Sequence, residues 1–137
     1  MIAFDTNVLV YAVDRADERK RTVALNLLRE SPPDQAILPW QVALEFGAWL
    51  DRSIRRGQIP PDSWRLLDAY RRLFRMATPG NAALDLGLRL RRERQVQYWD
   101  AMLIGACVEA GVRTLYSEDL PSASRMEGLE IVNPFDG

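Results

Sequence analysis

Ile2-Ala3-Phe4-Asp5-Thr6-Asn7-Val8-Leu9 opens with three apolar residues and then sets a carboxylate, a hydroxyl and an amide side by side. A short apolar run of this kind reads as a buried strand over Ile2 to Phe4, with Asn7 to Ala16 a loop and short helix beyond it. Asp5 then stands at the carboxyl end of a strand. In an open parallel sheet that end is where ligands bind, close to the point at which strand order reverses.

Working outward, the chain alternates short β-like runs with longer helical ones, which predicts an α/β domain with a mainly parallel sheet. Asp17 to Glu30 spaces Val23, Leu27 and Leu28 as a helical face and stops at Ser31-Pro32-Pro33. Ala36 to Leu38 is a candidate second strand. Trp40 to Arg56 reads as a helix burying Val42, Phe46, Trp49 and Leu50, closed by Gly57 and Pro60-Pro61. Another helix starts at Pro61 or Asp62 and runs to about Phe74, followed by a short strand over Arg75 to Thr78. Asn81 opens an arginine-rich helix through about Glu93. Tyr98 to Ala110 is apolar nearly all round, apart from Asp100 and Glu109, and is expected to be a central buried helix ending near Gly111. Thr114 to Tyr116 and Glu130 to Val132 complete the strands. There are no repeats and no low-complexity linker, and 137 residues suit one domain.

Composition narrows the chemistry. The chain has no histidine and one cysteine, which removes serine-histidine-aspartate hydrolysis, histidine-pair RNA cleavage and histidine-bound zinc. Any bound metal must be held mainly by oxygen, which points to magnesium, manganese or calcium. Cys107 lies in the apolar stretch Ala101 to Val108 and reads as a small core residue that cannot form an internal disulfide. No apolar run is long enough to cross a bilayer, and Asp5 interrupts the start where a signal peptide would be uniformly apolar, so a cytoplasmic protein is expected. The net charge of −1 carries no global signature of nucleic-acid binding. Basic charge is local, in Arg71, Arg72 and Arg75 and in Arg89, Arg91, Arg92 and Arg94. These clusters suit phosphate recognition by guanidinium forks, or are simply solvated helix faces.

Four acids stand at ends of predicted elements. Asp5 follows the first strand, where it serves a site or caps the next helix. Glu45 lies beside Val42 and Trp49 on its helix, so its carboxylate needs a partner: a site, or an arginine such as Arg52. Asp100 opens the most apolar helix, where the dipole favours an anion and where a cap is the ordinary role. Asp119 follows the penultimate strand, with a turn-forming role as its alternative and Glu118 beside it as a substitute. An α/β sheet gathers such positions on one side. Two like charges ~5 Å apart at an effective dielectric of ~20 repel by ~3 kcal/mol, so four together would protonate or bind a divalent cation.

Phe4-Asp5-Thr6-Asn7-Val8-Leu9, Val42-Ala43-Leu44-Glu45-Phe46, Trp99-Asp100-Ala101-Met102-Leu103-Ile104 and Tyr116-Ser117-Glu118-Asp119-Leu120 resemble the ordered motifs of PIN-domain nucleases. The ending Ile131-Val132-Asn133-Pro134-Phe135 is similar to the close of VapC-type toxins of bacterial toxin-antitoxin pairs. The resemblance covers essentially the whole chain. It implies a PIN-like three-layer α/β/α fold, a magnesium- or manganese-dependent endoribonuclease, a homodimer, and a cognate antitoxin. By position, Asp5, Glu45, Asp100 and Asp119 correspond to the family's acidic, metal-binding and catalytic cluster, with Thr6, Asn7 and Ser117 as supporting hydrogen-bonding residues. Tyr98-Trp99 departs from the pattern, in which many members place a small hydroxyl residue before the third acid.

On this reading Asp5 and Asp100 bind the metal most directly, Glu45 binds it or a bound water, and Asp119 completes the cluster or a second site. Arg89 and Arg92, on one helical side, are the candidate RNA-backbone contacts. Two rivals remain. A phosphoacceptor or phosphatase domain also uses acids at strand ends, but Asn7 stands where haloacid-type phosphatases need a second aspartate, and Lys20 is the only lysine available to a receiver domain. A PIN-like module that binds RNA or protein without catalysis would have no physical reason to keep four repelling carboxylates.

Overall fold

The computed structural model describes residues 1–120 and 125–136. Its strands are β1 (Ile2–Phe4), β2 (Ala36–Pro39), β3 (Arg75–Ala77), β4 (Thr114–Tyr116), β5 (Arg125–Met126) and β6 (Leu129–Val132). Its helices are α1 (Thr6–Tyr11), α2 (Glu18–Glu30), α3 (Trp40–Arg55), α4 (Trp64–Leu73), α5 (Asn81–Arg94) and α6 (Tyr98–Glu109).

Local chemistry sets the boundaries. Asp17 caps α2 by accepting from the Lys20 amide at 3.1 Å. Asp5 ends β1 and caps α1, so that helix starts at Thr6 with no intervening loop, where the sequence suggested a loop from Asn7. Pro39 passes β2 directly into α3. The helix expected from Pro61 begins as a 3-10 turn over Pro61–Ser63 and becomes α-helical only at Trp64. The two-residue strand β5 was not anticipated. It is too short to show a period and is recognisable only through its antiparallel pairing with β6 across Glu127 and Gly128, both at positive φ.

The six strands lie in the order β3-β2-β1-β4-β6-β5, all parallel except β5. From β1 the chain steps to β2 and β3 in one direction, then crosses back to β4 on the other side of β1. Parallel crossovers are right-handed, so the reversal puts α1–α4 on one face and α5–α6 on the other. Packing follows suit: α1 contacts α2 and α3, α3 contacts α4, and α5 lies along α6. The reversal makes the junction of β1 and β4 the switch point, and both strands end there at their carboxyl sides.

Phe46, Ile37, Leu50, Ile104, Leu115 and Ile131 are among the fully buried side chains between the layers. Trp49 is half-buried and stacks on Phe46 at 6.1 Å. On α6 everything from Leu103 to Cys107 is buried, as its apolar circumference predicts. Helix α5 approaches so closely that a Cβ at Gly105 would stand 2.3 Å from the Ala83 carbonyl oxygen, so only glycine fits there. This contact fixes the height of α6, and with it the position of Asp100. Among the described residues no helix is long and apolar enough to cross a membrane.

Candidate active site

Asp5 sits where β1 leaves the sheet, its own amide still bonded to the Tyr116 carbonyl of β4 at 2.8 Å. The Thr6 amide donates to Oδ1 at 2.7 Å and the Ser117 hydroxyl to Oδ2 at 2.7 Å, so each oxygen has one fixed donor. Asp5 is only 8% exposed and Ser117 is fully buried. Burial pushes the Asp5 carboxyl up to about 6 despite those two hydrogen bonds, with the charges of Glu45 and Asp100 adding to the rise.

Glu45, exposed on α3, has both oxygens engaged: the Thr6 hydroxyl donates to Oε2 at 3.1 Å and the Gln41 amide to Oε1 at 2.8 Å. The other hydrogen of the Gln41 amide reaches the Trp99 carbonyl at 3.1 Å, which ties α3 to the first turn of α6. No ion pair joins Glu45 to Arg52 among the described residues. Gln41 went unnoticed in the sequence, although its position four residues before Glu45 on one helix places the two side by side.

Asp100 does not cap α6. Gln97 takes that role, its side-chain oxygen accepting from the Trp99 and Asp100 amides at 3.0 and 3.2 Å. The Asp100 carboxylate therefore has no side-chain donor among the described residues. Its pKa is raised, first by burial and then by the charges of Asp119 and Glu45. Asp119 lies in the bend after β4, and the Asn7 amide donates to its Oδ2 at 3.2 Å. Asp5 is perturbed by Glu45 and Asp100, and Asp100 by Glu45 and Asp119, so all four predicted acids share one electrostatic neighbourhood. Asn7 and Ser117 each bond one of them, and Thr6 bonds two, Asp5 through its amide and Glu45 through its hydroxyl.

Glu118 is committed elsewhere. Lys20 pairs with it at 2.5 Å and the Tyr11 hydroxyl donates to it at 2.6 Å. Burial alone would raise its pKa, but Lys20 and Tyr11 hold it low. Arg89 pairs with Glu127 at 2.9 Å and Arg92 is exposed on α5; neither contacts the acids among the described residues. The cavity beside the cluster, about 470 Å³, is lined instead by Thr6, Asn7, Glu45, Trp49, Arg52 and Asp119, among others.

The donor set suits a hard divalent cation. Every candidate ligand is an oxygen. The buried Cys107 thiol is pushed up to about 12 by burial, with Asp5 adding to it, and is inert. Asn7 Oδ1 is buried without a hydrogen-bond partner among the described residues, an acceptor left open beside the carboxylates. A flipped amide would turn that oxygen toward the Asp119 carboxylate, so the orientation stands. Among the described residues no group of three acids is placed so that it could hold a metal ion.

A family model described as PIN domain matches residues 2–121. No curated protein matches the chain by sequence. Among solved structures, the chain is similar to FitAcB from Neisseria gonorrhoeae, with a TM-score of 0.77 and 15% identity over 98% of this chain and 99% of that one. A toxin-antitoxin complex from Klebsiella pneumoniae gives 0.70 and 18% over 98% of both chains. VapC20 of Mycobacterium tuberculosis, a sarcin-ricin loop cleaving toxin, gives 0.62 and 19% over 87% of this chain and 90% of that one.

Proposed function

Because the chain belongs to the PIN domain family, we propose that it is a magnesium- or manganese-dependent endoribonuclease, one nuclease domain acting as the toxin of a toxin-antitoxin pair. The observation that carries this reading is the gathering of Asp5, Glu45, Asp100 and Asp119 at the β1–β4 switch point, with Asp5 pushed up to about 6. Carboxylates held in mutual repulsion destabilise a fold unless a cation offsets them. A toxin-antitoxin complex and a sarcin-ricin loop cleaving toxin among its structural neighbours lend support to the choice of substrate and role.

Asp5 and Asp100 would hold the cation most directly. Asp5 is fixed at both oxygens, and Asp100 has the carboxylate least engaged by the protein. Glu45, oriented by Thr6 and Gln41, and Asp119, oriented by Asn7, complete the set. A divalent cation bound there supplies charge compensation for the scissile phosphate and an activated water. Ser117 and the Thr6 amide keep Asp5 aimed and favour its ionised form, while burial opposes ionisation. At neutral pH the balance favours the carboxylate. No histidine is needed to carry a proton.

The same reading includes a homodimer and an antitoxin. Trp40, Leu44, Leu84, Tyr98 and Trp99 are exposed and line one apolar groove of about 450 Å³, a surface suited to a protein partner. The test of the activity is incubation of purified protein with a mixed RNA pool in magnesium, manganese or EDTA. Cutting with either metal, abolished by EDTA and by Asp5→Asn, is expected. Equal cutting in EDTA, or none in either metal, would overturn the reading.

A further inference from the structure

Resting on the nuclease reading, we propose that Arg52 is the residue that holds the RNA backbone at this site, gripping a phosphodiester next to the one that is cut. Arg52 lines the same cavity as Thr6, Asn7, Glu45 and Asp119. It stands seven residues beyond Glu45 on α3, within 20° of it around the helix and about 10 Å along the axis. No ion pair joins Arg52 to any of the four acids among the described residues. Both Glu45 oxygens are already taken by Gln41 and Thr6.

Arg52 is exposed and makes no ion pair or side-chain hydrogen bond among the described residues. Arg55 is paired with Asp51 at 3.1 Å and Arg65 approaches Asp62 at 3.6 Å, while Arg56, which like Arg52 has no ion pair among the described residues, does not line the cavity. Arg89 is paired with Glu127. A substrate whose backbone is an anion meets the Glu45 and Asp119 carboxylates in this cavity, and a cationic group on the same wall offsets that repulsion. A guanidinium presents two parallel N–H donors to the two non-bridging oxygens of a phosphodiester, which a lysine would not match.

The test measures binding of a labelled single-stranded RNA to Asp5→Asn protein, with and without Arg52→Gln, over a series of salt concentrations. Arg55→Gln serves as the control for the same loss of charge. Removing Arg52 is expected to weaken binding about tenfold and to flatten the salt slope by about 0.7, the value for one lost contact to a single strand. In the protein with Asp5 intact, KM should rise while kcat stays within about twofold, and Arg52→Lys should restore part of the loss. Arg52→Gln matching Arg55→Gln in affinity and slope overturns the proposal, even if cleavage is normal. Protein that binds RNA but cuts none overturns the nuclease reading alone, and protein that binds none overturns both.

Discussion

The Ser117 hydroxyl donates to Asp5 Oδ2 at 2.7 Å, joining the residue after β4 to the residue after β1 in the buried floor of the site. The two strands whose divergence makes the switch point are thus linked by the first carboxylate itself. This hydrogen bond opposes the effect of burial on Asp5. Ser117→Ala should drive the Asp5 pKa above about 6 and move the acid limb of the pH–rate profile to higher pH by about half a unit to one unit, at a stability cost of ~1–2 kcal/mol. A profile superimposable on wild type would show that Ser117 does not tune this carboxylate.

Asp5 is raised from 3.8 to about 6, so without divalent cation the folded protein binds a proton that the unfolded chain has released. The favourable contribution is complete below pH 3.8 and is lost as pH rises to about 6, worth roughly 3 kcal/mol for the metal-free protein. Asp5→Asn should therefore raise the melting temperature of metal-free protein at pH 7.5. Cation binding should reverse the pattern: at a hundredfold excess over Kd it adds about 2.7 kcal/mol. That gain should fade as pH falls through 6 and be absent in Asp5→Asn. Melting curves in EDTA and in manganese across this range check both signs.

Two adjacent acids follow β4, and their surroundings assign them different work. Glu118 is held by Lys20 and Tyr11, whereas Asp119 accepts from the Asn7 amide alone among the described residues and faces the cavity. Asp119→Asn should lower kcat/KM at least tenfold with little loss of stability. Glu118→Gln should leave the rate within about threefold and lower stability instead. The reverse ranking in cleavage assays would exchange their roles.

Gly105 gives a prediction about the scaffold. A methyl group there would press against the Ala83 carbonyl of α5, a backbone atom that cannot swing aside. Gly105→Ala should destabilise the protein by about 2–3 kcal/mol in denaturant titration despite its better helix propensity. A neutral or stabilising result would mean that α5 and α6 separate easily, and that the height of Asp100 is not set by their contact.

Most of this architecture is legible in the chain because the signals are long or sharply punctuated. Helix α6 is apolar all round, and α3 carries its buried stripe at Val42, Phe46 and Leu50. Asp5, Asp100 and Asp119 are legible because each follows or opens an element that the parallel order carries to one end of the sheet, and Glu45, inside α3, is legible only as a carboxylate beside an apolar stripe. Four things were hidden. The strand β5 is two residues long and exists only through its partner β6. The capping of α6 by Gln97 and the bracing of Glu45 by Gln41 depend on side chains whose reach a periodic pattern does not encode. Among eighteen basic residues, sequence alone could not separate those already paired, such as Arg89 with Glu127, from Arg52 in the cavity.

Asp100 offers the most direct test of the central claim. Its carboxylate caps no helix and accepts no side-chain hydrogen bond among the described residues, so an isosteric amide removes the charge and little else. The measurement is the single-turnover rate of RNA cleavage in saturating magnesium by wild-type and Asp100→Asn protein, with matching melting curves. A fall of at least a hundredfold with the fold intact is the predicted result. Cleavage by a folded Asp100→Asn protein at the wild-type rate would contradict it, and the four carboxylates would then not be the centre of the chemistry.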